Sequence, residues 1–188
     1  MSRFPELKPE QWNDEQKQVA QAIVAGPRGS VRGPFVPLLH SPGLAGPAQQ
    51  AGAYLRYNSS LPAVLNEFAI LITARFWTAQ YEWFAHRKIA LEAGLDPKIA
   101  DQIARGERPS GMSAEQTVIY DFCAELHHDH AVSDKSFAAM VEKFGHRGAV
   151  DLIGVCGYYT MIAMVLNVAQ IPLPAGAPPG LEPLPAKR

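Results

Sequence analysis

Apolar residues recur at helical spacing along most of this chain. Trp12, Val19, Ile23 and Val24 predict a helix over 10–25, stopped by Gly26-Pro27. A further helix is expected over 47–58, ending near Asn58. From Leu61, the set Val64, Leu65, Phe68, Leu71 and Ile72 follows the i, i+3, i+4, i+7 rule and predicts a helix over 62–76 with one buried face. A second amphipathic run covers 79–93 and stops at Gly94, a residue suited to a helix C-terminus. Asp96-Pro97 sets an N-cap before a proline at the first helical position and opens a short helix to Arg105. Ser113-Ala114-Glu115-Gln116 reads as a capping box for a helix to His128. Ser133 caps a helix ending at Gly145, and a last helix covers 147–170. No β-alternation of useful length appears, so the predicted fold is an all-α bundle.

Proline sharpens this layout. Pro27, Pro34, Pro37, Pro42 and Pro47 crowd the segment 26–47, and six more fall between Pro172 and Pro185. Proline removes a backbone donor and blocks helix interiors, so 26–47 is expected to be an irregular loop and 172–188 an extended tail. Residues 1–171 then form one helical domain, since 188 residues suffice for a single core without staples. A net charge of −1 gives no basic stripe for nucleic acid. The polar, Pro-broken start does not read as a signal peptide. The run Leu152–Leu166 has fifteen residues without charge or amide. That is shorter than the roughly 18–20 a membrane span needs, and it reads as a buried helix. Cys123 and Cys156 lie 33 residues apart and show neither a disulfide framework nor a zinc spacing, so both are expected to be small buried apolar groups. The expectation is a reduced, cytoplasmic protein with no nucleic-acid or membrane partner.

Polar residues set among apolar helical positions carry the candidate chemistry. Glu67 neighbours Phe68 and Leu71, and Arg75, Gln80, Glu82 and His86 follow among aromatics. Glu82 and His86 are four residues apart, share a helical face and can hydrogen-bond across a turn. A carboxylate beside an imidazole fixes its tautomer, which suits general acid/base work. Arg75 can pair with Glu67 or grip a substrate carboxylate with its fork. A purely structural polar network is the competing interpretation. His40, in the Pro-rich loop, and Tyr81 and Trp83 are candidates for the substrate site; Trp77 and Trp83 read as pocket walls. His127, His128 and His130 around Asp129 are expected at a solvated helix end. No metal site and no cofactor are expected, and Gly26–Gly33 lacks the strand that a phosphate-binding loop requires.

Several motifs resemble the carboxymuconolactone decarboxylase / alkylhydroperoxidase D-like family. They are Phe35-Val36-Pro37-Leu38-Leu39-His40-Ser41-Pro42, then Glu67 with Ala74-Arg75, then Gln80-Tyr81-Glu82-Trp83 with His86, Ala90 and Ala93-Gly94-Leu95. Val132-Ser133-Asp134 and Tyr158-Tyr159-Thr160-Met161 extend the likeness over most of the chain. In the peroxidase branch, a glutamate is followed twelve residues later by a CxxC pair, and by a histidine four residues after its second cysteine. Glu67 and His86 fall in register with the outer positions, but Ala79 and Glu82 stand where the cysteines belong. Thiol peroxide reduction at that motif is therefore excluded. The resemblance implies a decarboxylase-like, cofactor-free lyase or isomerase acting on a small carboxylated lactone or organic acid. His86 would be the acid/base, Glu67 or Glu82 its orienting carboxylate. It also implies a homotrimer or hexamer, with the Pro-rich loop over the site. A catalytically silent, assembling relative is the alternative.

Overall fold

Asn13 caps the first helix by accepting from Gln16 N, while Gln16 Oε1 accepts from Asn13 N. This helix, α1, runs Asp14–Ala25 behind a short 3-10 turn at Pro9–Gln11. The structure is a computed structural model that describes residues 2–178 and 180–183. Seven further helices follow among the described residues: α2 Phe35–Leu38, α3 Pro42–Tyr57, α4 Ala63–Phe76, α5 Gln80–Glu92, α6 Pro97–Ala104, α7 Ala114–Asp129 and α8 Asp134–Ala169. No strand occurs among those residues. The all-α expectation holds.

The segment 26–47 departs from expectation. It contains α2 and the opening of α3, so its prolines punctuate helices rather than preventing them. Pro42 occupies the first turn of α3, where a missing N–H has no intrahelical partner to lose. Pro47 lies inside α3, but Pro47 and Gly43 face solvent, so water can satisfy the carbonyl it leaves free. Of the expected tail, residues 172–178 and 180–183 carry no helix; 179 and 184–188 lie outside the described residues.

α4 is the centre of the molecule. Its residues from Leu65 to Arg75 are all buried, against the one-sided burial that its periodicity predicts. The difference follows from enclosure: α5, α7, α8 and α6 pack around it. Thr78 then takes a left-handed conformation, φ 48, and turns the chain from α4 into α5. α8 is interrupted at Gly145, φ 67 and ψ 175, where the sequence predicted one helix to end and another to begin. A side chain at that φ would be strained, which is why glycine marks the break. The apolar run Leu152–Leu166 packs Leu152, Val155, Tyr159 and Ile162 into the core.

Candidate active site

α4 and α5 are antiparallel neighbours across the Thr78 turn, and this brings Glu67 to His86. His86 Nδ1 donates to Glu67 Oε2 at 2.7 Å, both groups buried. With the Nδ1 proton committed to Glu67, Nε2 is the nitrogen left for chemistry. The Tyr159 and His86 rings meet nearly perpendicular at a centroid distance of 5.0 Å, fixing the imidazole plane. Glu67 stands behind His86, and His86 itself lines a cavity of about 410 Å³.

Glu82 lines the same cavity in a different state. It is 2% exposed, and neither carboxyl oxygen has a hydrogen-bond partner. Burial without compensation pushes its pKa well above the ordinary carboxylate range. The expected Glu82–His86 hydrogen bond is not formed. Glu67 takes the imidazole instead, leaving the Glu82 carboxyl buried and unpartnered beside the cavity.

Tyr158 and Tyr159 complete the buried floor, and burial raises both phenols, so they stay protonated donors. Arg28, Arg32, Arg56 and Lys88 surround the opening, against the single exposed carboxylate of Glu92. Arg28 is held over the Phe35 ring at 4.6 Å and lies 3.5 Å from the Tyr158 hydroxyl. Gly52 on α3 makes this arrangement possible, because a Cβ there would meet Tyr158 Oη at 2.1 Å and Arg28 Nη2 at 2.6 Å. Residues 28–35 of the Pro/Gly segment line the cavity, and Tyr81 lies on its wall. The arginines went unrecognised in the sequence; the signal for Arg28 and Arg32 was a cluster of cations among glycine and proline, and Arg56 in the last turn of α3 had none.

Three predicted site residues lie elsewhere. Arg75 donates to the carbonyls of Ala104 and Glu182 and to Thr78 Oγ1, and pairs with no carboxylate of the site. Eight residues beyond Glu67, it sits about 12 Å further along the α4 axis. His40 bonds the Pro5 carbonyl at 3.0 Å beside Phe4, away from the cavity. Trp83 is buried and lines a separate cavity with Gln80 and Leu181. Trp77 bonds Thr160 Oγ1. Of the histidines expected at a solvated helix end, His127 is buried and stacked on Phe76. No group of metal-ligating side chains occurs among the described residues.

No family model matches the sequence, and no curated protein is significantly similar to it. Solved structures are similar in shape. The alkylhydroperoxidase core of an uncharacterised peroxidase-related protein from Ralstonia eutropha JMP134 superposes with a TM-score of 0.76 at 20% identity, covering 93% of each chain. An uncharacterised peroxidase-related protein from Silicibacter sp. TM1040 gives 0.74 at 17% identity, over 93% of this chain and 92% of the other. The fold is alkylhydroperoxidase D-like. Within this fold, Ala79 is the fully buried N-cap of α5 and Glu82 lies in that helix's first turn. The positions where the resemblance expects cysteines therefore hold a methyl group and a buried carboxyl whose pKa is raised by burial.

Proposed function

We propose that the chain is a carboxymuconolactone decarboxylase-like acid/base enzyme acting on a small carboxylated lactone or organic acid, by isomerisation or decarboxylation. The observation that carries this reading is the unpartnered, buried Glu82 carboxyl in one cavity with a Glu67-supported His86. A structural network satisfies its own polar atoms. Glu82 does not: both its carboxyl oxygens are buried without a partner, and the residue lines the cavity that holds His86.

Both reactions place an electron pair next to a carbonyl, which must be held as an enolate and then protonated at carbon. His86 Nε2 removes or returns the carbon-bound proton. Glu67 stabilises the imidazolium that forms. Glu82, kept neutral, donates to the developing enolate oxygen, and the Tyr159 hydroxyl is a second donor on the same floor. A cation on a departing carboxylate would oppose its loss as CO2. Arg28, Arg32 and Arg56 therefore serve to anchor a retained carboxylate or to receive enolate charge.

The test is incorporation of solvent deuterium into carboxylated butenolides, followed by proton NMR. His86→Ala should reduce exchange by about 10²–10⁴-fold with the helical fold intact. Exchange at the parent rate would falsify the assignment. Self-association belongs to the same proposal: Val150, Ile153, Met164 and Val168 form an exposed apolar stripe on α8, suited to a second copy of the chain.

A further inference from the structure

The cavity that Trp83 lines is separate from that of His86 and larger, about 650 Å³ against about 410 Å³. Small-molecule sites occupy roughly 300–1,000 Å³. α5 divides the two: Glu82, His86 and Ile89 lie on one face of the helix, Gln80, Trp83, Arg87 and Leu91 on the other. The far wall is the C-terminal segment, through Leu173, Pro178 and Leu181. That wall is firmly docked. Gln80 Nε2 donates to the Leu181 carbonyl at 2.7 Å, Leu181 N donates to Gln80 Oε1 at 2.6 Å, and Arg75 donates to the Glu182 carbonyl at 2.8 Å. Leu181 is 5% exposed and joins the core. A Cβ on Gly180 would meet Gln80 Oε1 at 2.0 Å, so this close approach needs glycine.

The lining sets the chemistry of an occupant. Its inner surface is aromatic and aliphatic, and its cations are already paired: Arg87 with Asp101 at 2.8 Å, Arg105 with Glu107 at 2.8 Å, and Lys88 with Glu92 at 3.7 Å. Among the described residues, Glu182 is the one charged lining residue without an ion pair, and its charge is negative. An anionic ligand would find no free cation here and would face that carboxylate. The arginine-rich opening of the His86 cavity is the opposite case. Trp83 supplies the polar requirement. It is buried, yet its indole N–H makes no hydrogen bond among the described residues. Buried indole N–H groups ordinarily find an acceptor.

We infer that the cavity between α5 and the C-terminal segment is a second ligand site, which takes an uncharged, largely apolar aromatic molecule bearing one carbonyl acceptor. The ring system packs between Trp83 and Phe84 on one side and Leu173 and Leu181 on the other. The carbonyl oxygen accepts from Trp83 Nε1, and the paired charges at the rim stay with one another. The docked segment closes the site, so Gly180 contributes to binding without touching the ligand. Phe84 and Lys88 line both cavities, but neither moves a proton in the proposed reaction. This inference therefore stands or falls separately from the acid/base function.

The probe is Prodan, an uncharged aminonaphthalene ketone whose emission moves to the blue in apolar surroundings. Titrated against the full chain, it should bind saturably, one per chain, with blue-shifted emission. Trp83→Phe keeps an aromatic wall but removes the N–H, and should raise the Kd about 3–10-fold. Gly180→Ala should also weaken binding, since the Gln80 amide must give up its bonds to Leu181 to make room. His86→Ala should leave the Kd unchanged. The aminonaphthalene carboxylate that replaces the ketone should bind the wild-type chain at least about tenfold more weakly. Circular dichroism checks that each variant folds, and the comparison of ketone with carboxylate needs no variant. Absence of saturable binding would overturn the inference. So would an affinity indifferent to Trp83→Phe, one lost with His86, or tighter binding of the carboxylate.

Discussion

Glu82 is costly to the fold in its ionised form, because a carboxylate with no partner cannot be desolvated cheaply. It resolves this by keeping its proton. Since its folded-state pKa is raised, its stabilising contribution is complete in acid, below the ordinary glutamate value, and is lost as pH rises through the folded value. Glu82→Gln cannot titrate. The difference in urea midpoint between variant and wild type should therefore move in the variant's favour from mildly acidic to alkaline pH, and a constant difference would contradict the neutral-acid assignment. Glu67 acts through His86 and is a positioning residue. Glu67→Gln should lower kcat about tenfold or more while KM changes little, with a shifted kcat–pH profile. At this scale the sequence was informative about residue type and less so about partners. Glu67, Glu82 and His86 stood out as polar groups in apolar helices, but helical spacing favoured Glu82 as partner to His86. The neighbouring helix supplied Glu67 instead, and no local rule encodes which of two carboxylates an imidazole turns towards.

Helix placement was more legible. The capping signals at Asp96 and Ser113 and the glycine at 145 mark real boundaries, since each satisfies or interrupts backbone groups locally. The prolines between 26 and 47 misled because their effect depends on where in a helical turn they fall. What spacing cannot reveal is close approach between elements, as at Gly52. Alanine there is the better helix former by roughly 1 kcal/mol, yet its methyl would occupy the place of the Tyr158 hydroxyl. The Tyr158 ring is buried and bounded by Tyr159 at 5.2 Å, so it cannot move freely aside. Gly52→Ala should lower the melting temperature despite its propensity gain, and should raise KM for an anionic substrate through displaced Arg28. A second junction is Asp151 of α8, which accepts from Ser60 N at 2.8 Å, Ser60 Oγ at 2.6 Å and Tyr54 Oη at 3.0 Å. Burial would raise this carboxyl, but the donors and Arg147 outweigh it and hold it below the ordinary value. Its contribution to stability is present above the ordinary aspartate value of about 3.9 and lost as pH falls through the lower folded value. Asp151→Asn should flatten the acid limb of the thermal-stability profile.

For the molecule as a whole, the unfilled requirement is the outer face of α8. Ile153 and Val150 remain exposed there while Leu152 between them packs the core. A charge at the centre of a self-associating face is left without solvent or partner. Ile153→Asp should shift light-scattering mass towards the monomer without loss of helicity, and an unchanged mass would remove this face from the proposed assembly.

Arg75 has an implication in time. Its guanidinium is buried within the core helix, yet the Glu182 carbonyl that it binds at 2.8 Å lies 107 residues further along the chain. Translation at about 5–20 residues per second delays that carbonyl by roughly 5–20 s. Over the same stretch, Gln80 lacks its two bonds to the Leu181 backbone, at 2.6 and 2.7 Å. On the ribosome, Arg75 therefore emerges with Thr78 Oγ1 and then the Ala104 carbonyl as its partners, and without the Glu182 carbonyl. The polar contacts that close the turn into α5 are completed only when the residues around 181 arrive.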